Sequence, residues 1–160
     1  MTGPVVVVGL GNDHRRDDGV GPAVAAALDS LDLPGVVVVT GIADPLSLLE
    51  AWTGAGLAIV IDAAVASPPR PGRVRRCTLA DLTAENVGLS SHGVDVAHTH
   101  GLGAALGRLP DDLVVLAVEV ADTGHGTGLT PPVARAVPEA VRLARREIDV
   151  ALEGRRNAGI

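Results

Sequence analysis

Four short runs of this chain are unbroken stretches of apolar, largely β-branched residues: Pro4–Val8, Gly35–Val39, Leu57–Ile61 and Leu113–Val120. A strand with one wet face alternates polar and apolar positions, whereas a strand covered on both faces has no solvent side to mark. Runs of this kind predict a parallel sheet enclosed between two layers of helix.

The intervening segments read as those helices. Val20, Val24, Leu28 and Leu31 fall on one stripe after the first run. Asp44 can cap a helix that begins at Pro45 and turns Leu48, Leu49 and Trp52 inward. Leu102, Ala105, Leu106 and Leu109 form a weaker stripe, because Gly101, Gly103 and Gly107 each cost about 1 kcal/mol against Ala in a helix interior. A last helix starts at Thr130 and Pro131 and faces Val133, Val137, Val141, Ala144, Ile148 and Leu152 inward. Pro138 is expected to kink or restart it, and the tail from Gly154 to Ile160 to fray. Arg73–Leu79 can add an edge strand whose charges discourage pairing with another sheet. The order β-α-β-α-β-(β)-α-β-α predicts one three-layer α/β/α domain over residues 1–160, with a mostly parallel sheet of about five strands and one antiparallel edge strand.

Composition narrows the function. The formal net charge of −6 speaks against general nucleic-acid binding, which needs a basic footprint. All 13 basic residues are Arg, so Schiff-base chemistry at a lysine is excluded. The lone Cys77 forms no internal disulfide and fits a reducing cytoplasm. No basic stretch followed by an apolar one opens the chain, and its longest apolar runs fall short of a membrane span, so a cytoplasmic protein without membrane attachment is expected.

The loop after the first run, "GLGNDHRRDDGVG", resembles the opening of a dinucleotide site without fitting one. Gly9 and Gly11 match the G-x-G-x-x-G pattern, but His14 takes the third glycine position and Thr40 stands where a ribose-binding acid belongs. A phosphate would also meet Asp13, Asp17 and Asp18, offset only by Arg15 and Arg16.

Open parallel sheets place their sites at the carboxyl ends of the strands. This chain puts Asp13, Asp17 and Asp18 after the first strand, Asp62 at the end of the third, His92 after the edge strand, and Glu119, Asp122 and His125 after the last. Oxygen and nitrogen donors without a thiolate suit a divalent transition metal such as nickel or zinc. Each has a plainer reading: Asp18 can cap the first helix, Asp62 can end a strand, and His92 can be a loop histidine. Their joint placement on one rim is what favours a site.

The stretches "GLGNDHRRDDGVGPAVAAAL", "IVIDAAV", "SSHGV" and "GLTPPVARAVPEAV" together resemble the endopeptidases that mature the large subunit of nickel–iron hydrogenases, in an ordered match from about residue 4 to 152. The resemblance implies an aspartyl-type endopeptidase that removes a C-terminal extension from the large-subunit precursor once nickel is in place. It maps the nickel-contacting residues onto Asp18, Asp62 and His92, with nickel presented by the substrate. Two departures stand out. Thr40-Gly41-Ile42 replaces the Asp-Gly-Gly of many members, and His98 and His100 crowd the histidine segment. Nothing suggests a Ser nucleophile, since no G-x-S-x-G elbow occurs, and no H-E-x-x-H signature supports a resident zinc protease. The rival reading is a nickel-binding assembly factor that cuts nothing. Arg70, Arg73, Arg75 and Arg76 read as a solvated edge or a docking patch, Arg15 and Arg16 as counter-charges or substrate contacts, and Glu119, Asp122 and His125 as a mobile loop or a groove lining.

Overall fold

In the computed structural model, which describes residues 3–84, 88–89 and 94–158, the four apolar runs form neighbouring parallel strands. They are β1 (Val5–Gly9), β2 (Val36–Val39), β3 (Leu57–Val65) and β6 (Asp112–Glu119). A further strand, β4 (Val74–Cys77), closes one edge antiparallel to β6, giving the order β2-β1-β3-β6-β4. A two-residue strand, β5 (Gly88–Leu89), adds antiparallel to the end of β3. The expected α/β class and sheet are therefore present, with the edge strand shorter than Arg73–Leu79.

Each strand sends alternate side chains to opposite helical layers. Val5, Val7, Ile59, Ile61, Leu116 and Val118 meet α1 (Val20–Asp29) and α5 (Pro131–Ala158). Val6, Val8, Val60, Ala64, Val115 and Ala117 meet α2 (Pro45–Trp52), α3 (Leu79–Ala84) and α4 (Val96–Leu106). With Trp52 as the one aromatic, the core is small branched aliphatic side chains packed on both faces.

α2 is as the sequence dictates. The Asp44 carboxylate accepts from the Ser47 N–H at 2.9 Å, Pro45 opens the helix, and Leu48, Leu49 and Trp52 are buried. In α1, Val20, Val24 and Leu28 are buried, but the helix ends at Asp29 and Leu31 is exposed. α4 departs further from its expected stripe. Leu106 is exposed, and the buried positions are Val96, Thr99 and Gly103. A Cβ at Gly103 would lie 2.9 Å from Leu49 Cδ2 and 2.6 Å from the Arg108 carbonyl, so the glycine is the contact face and lets α4 lie close to α2. Glycine's low helix propensity is outweighed by that close packing.

α5 runs unbroken through Pro138, so no restart occurs there, and its helical assignment continues to Ala158. Pro138 and Ala134, whose carbonyl loses its helical donor, are both on the exposed face, where water can replace the bond. The inward stripe is Val133, Ala136, Ala140, Ala144, Ile148 and Ala151.

Candidate active site

The first loop carries two adjacent aspartates with different fates. β1 ends at Gly9, and the chain passes through a single 3-10 turn, Arg16–Gly19, before α1. Asp17 and Asp18 are both buried in that turn. The Asp17 carboxylate points toward the far loop. It accepts from the Ala121 and Asp122 N–H groups at 2.9 and 3.0 Å, and from the Thr130 N–H at 2.7 Å and hydroxyl at 2.8 Å. Burial alone pushes this carboxyl up; the bonds from Thr130, Asp122 and Ala121 outweigh it and hold it below the ordinary range.

Backbone bonds complete the stitch between the two loops. Arg16 N–H donates to the Gly126 carbonyl, Asp17 N–H to the Asp122 carbonyl and Gly126 N–H to the His14 carbonyl. The guanidinium groups of Arg15 and Arg16 donate to the carbonyls of Thr123 and His125 at 3.2 Å. Arg16 itself has φ +48°, a left-handed conformation held by bonds on both sides. The two arginines thus serve to tie the loops together, and Asp122 and His125 belong to that tie rather than to a groove lining.

Asp18 turns the other way. It does not cap α1, whose N-cap is Gly19 without a side-chain bond. Its Oδ2 accepts from the Asn12 N–H at 2.9 Å, and the residue lines a cleft of about 500 Å3 with Gly11, Asn12, Asp13, Arg15, Thr40, Gly41, Ile42 and Val94. Gly11 is required here: its φ is +130°, and a Cβ would sit 2.0 Å from the Asp18 carbonyl oxygen. Gly21 is needed for contact, since a Cβ there would come within 2.1 Å of the Leu10 carbonyl and 2.6 Å of the Ile61 carbonyl. The glycines of the motif let the loop, α1 and β3 approach one another.

Asp62 lies next to this arrangement. It is not at the end of its strand, because β3 continues to Val65. β1, however, stops at Gly9 opposite Ile61, so Asp62 is the first residue of β3 beyond its neighbour. The turn holding Asp18 packs against β3. By strand alternation Asp62 shares a face with Val60 and Ala64, toward α2 and α4, and it is fully buried. His92 lies outside the described residues. The described chain on either side reaches the same region: Leu89 pairs with Ala64, and Val94 lines the cleft. Among the described residues no group of three or more His, Cys, Asp or Glu is gathered to hold a metal ion.

The other histidines separate from this region by role. His100 packs edge-on against Trp52, ring centroids 6.4 Å apart, and His98 is exposed in the first turn of α4, which Asp95 caps. Cys77 is buried on β4. Glu119 is buried at the end of β6 with Arg73 Nε 3.7 Å from its Oε2, an ionic contact longer than a hydrogen bond. Arg76 pairs with Glu147 of α5. Part of the arginine cluster therefore anchors the edge strand.

A model of the hydrogenase maturation protease family, HycI, matches residues 22–147. The chain belongs to the hydrogenase maturation protease family. The matched span contains Asp62 and begins just after the Asp18 loop. Solved maturation proteases share the fold. The hydrogenase maturating endopeptidase HybD from E. coli superimposes with a TM-score of 0.79 at 21% identity, over 92% of this chain and 93% of that one. The [NiFe] hydrogenase maturation protease HybD from Thermococcus kodakarensis gives 0.74 at 23% identity, over 89% and 97%. The hydrogenase 2 maturation peptidase from a Thaumarchaeota archaeon gives 0.67 at 23% identity, over 91% and 97%. Among curated protein sequences nothing matches the chain. Family membership makes this a maturation peptidase, and the cleft beside Asp18 is its candidate site.

Sequence reasoning named Asp18 and Asp62 and missed the use of Asp17. No local signal reveals it, since its partners stand more than 100 residues away.

Proposed function

We propose that the protein is the endopeptidase that removes the C-terminal extension of a nickel–iron hydrogenase large-subunit precursor after nickel insertion. Asp18, Asp62 and His92 would meet the nickel that the precursor carries, so the ion belongs to the substrate. The observation that carries this reading is the division of labour between the paired aspartates. Asp17 has its carboxylate filled by structural donors, while Asp18 lines an open cleft beside the buried Asp62.

The chemistry follows from the donor set. Two carboxylates and an imidazole are ligands suited to a borderline divalent ion. Gripping an ion fixed inside the precursor would position the nearby peptide bond, and positioning can lower a barrier by several kcal/mol. Hydrolysis then needs a water to attack the peptide carbonyl and a proton carried to the departing amine. The ion polarises the carbonyl or the water, and the carboxylates are the proton acceptors at hand. Because Asp62 is fully buried, docking of the precursor must uncover it. A precursor without nickel offers nothing to grip, which makes cleavage report on metal insertion.

The test is the mass of the precursor after incubation with the protein. Nickel-loaded precursor should lose its extension and nickel-free precursor should stay intact. Equal shortening of both removes the nickel gate; no shortening of either leaves only an assembly role.

A further inference from the structure

Among the described residues β2 is the terminal strand of the sheet and pairs only with β1. In a parallel ladder a strand turns the N–H and C=O of every second residue toward its neighbour and the intervening groups away. The bond from the Val5 N–H to the Gly35 carbonyl, with Val5 in register with Val36, commits Gly35, Val37 and Val39 to β1. Val36, Val38 and Thr40 therefore present main-chain groups outward. The Val36 N–H is taken by the Leu33 carbonyl, but no described residue bonds to the N–H or C=O of Val38 or Thr40.

Open edges in soluble proteins are ordinarily blunted by a charge, a proline or a bulge. Residues 36–43, VVVVTGIA, contain no charge and no proline. The side chain of Val37 is 49% exposed beside this edge. The edge also leads somewhere: the residues that continue β2, Thr40 to Ala43, line the cleft with Asp18. Only an extended backbone offers donors and acceptors at the spacing of alternate strand residues, roughly 6.6 Å. An added strand is therefore the partner that meets Val38 and Thr40 together.

We propose that the β2 edge takes the extended segment of the precursor as an added strand and leads its scissile bond into the cleft, an inference that rests on the peptidase reading of that cleft. Recognition along the edge is through main-chain bonds and apolar contact with Val37, and so tolerates varied side chains.

Two measurements test it with a nickel-loaded large-subunit precursor from the same organism. Amide exchange is followed by NMR in the Asp62→Asn protein, which the proposed function expects to leave the precursor uncut. The Val38 and Thr40 amides should slow at least tenfold when the precursor is added. In parallel, Val38→Pro removes an outward donor while leaving the β1 ladder whole. It should raise the KM for processing at least fivefold with kcat within twofold, and Val38→Ala, which keeps the donor, should stay within twofold in both. If the wild type shortens the precursor while these amides stay unprotected and Val38→Pro keeps its KM, the docking edge is wrong and the peptidase reading stands. If the amides are protected and the wild type never shortens the precursor, the peptidase reading falls and the edge stands. Protection that grows with protein concentration in the absence of precursor assigns the edge to a second copy and overturns the proposal. Should Val38→Pro fail to fold, the exchange measurement decides alone.

Discussion

Thr130 donates to Asp17 through both its backbone N–H, at 2.7 Å, and its hydroxyl, at 3.0 Å from Oδ1 and 2.8 Å from Oδ2, across a sequence separation of 113 residues. Through this contact a carboxylate of the first loop holds the residue just before α5, and the turn that carries Asp18 is tied to that segment.

Removing that charge should cost stability. Asp17→Asn keeps the shape but turns an amide group toward N–H donors, leaving buried groups unmatched. Charge-assisted bonds of this kind are each worth about 1.5–3 kcal/mol. We expect Asp17→Asn to lower unfolding free energy by about 2–4 kcal/mol at neutral pH, measured by urea denaturation, and to reduce processing through displacement of its neighbour.

The same residue sets an acid limit. Its folded-state carboxyl titrates below the ordinary value. Its contribution is therefore fully present above the unfolded value, about pH 3.9, and disappears as the pH falls through the lower folded value. The stability difference between wild type and Asp17→Asn should be constant from pH 7 to about pH 5 and shrink below about pH 4. A difference that grows on acidification would contradict the assignment.

Asp18→Asn should behave in the opposite way to Asp17→Asn. Its Oδ2 accepts from the Asn12 N–H, a bond that an amide oxygen can also accept, so the variant should still fold cooperatively. Processing of nickel-loaded precursor should fall by at least a hundredfold. Full activity in Asp18→Asn would remove it from the site.

Asp62→Asn separates burial from function. The side chain is fully enclosed and an amide has the same shape, so the packing is kept and the variant should still unfold cooperatively. Processing should be lost all the same. A variant that still cuts at the wild-type rate would remove Asp62 from the site.

Gly11→Ala probes the loop itself. The new Cβ would meet the Asp18 carbonyl oxygen at 2.0 Å, at a φ of +130° that side-chain-bearing residues avoid. Backbone strain and overpacking each cost about 1–3 kcal/mol, so a loss of about 3 kcal/mol or more is expected, seen as a lower melting temperature together with lost processing.

Much of this molecule is written locally. The four β-branched runs become the four parallel strands because continuous apolar sequence is what a doubly covered strand requires, and Asp44-Pro45 starts α2 because a cap acts within one turn. The ligand candidates Asp18 and Asp62 were legible because strand ends in this architecture collect at one rim. What the chain could not disclose locally depends on partners brought from far away. Which of two adjacent aspartates would be consumed as a latch was decided by Ala121, Asp122 and Thr130. The face α4 buries was decided by how closely Gly103 could approach Leu49, not by its leucines. Periodicity and capping are energies of neighbours in sequence, and so the sequence alone determined them. The direction of a buried carboxylate is set by whichever donors surround it, and only the folded chain assembles those.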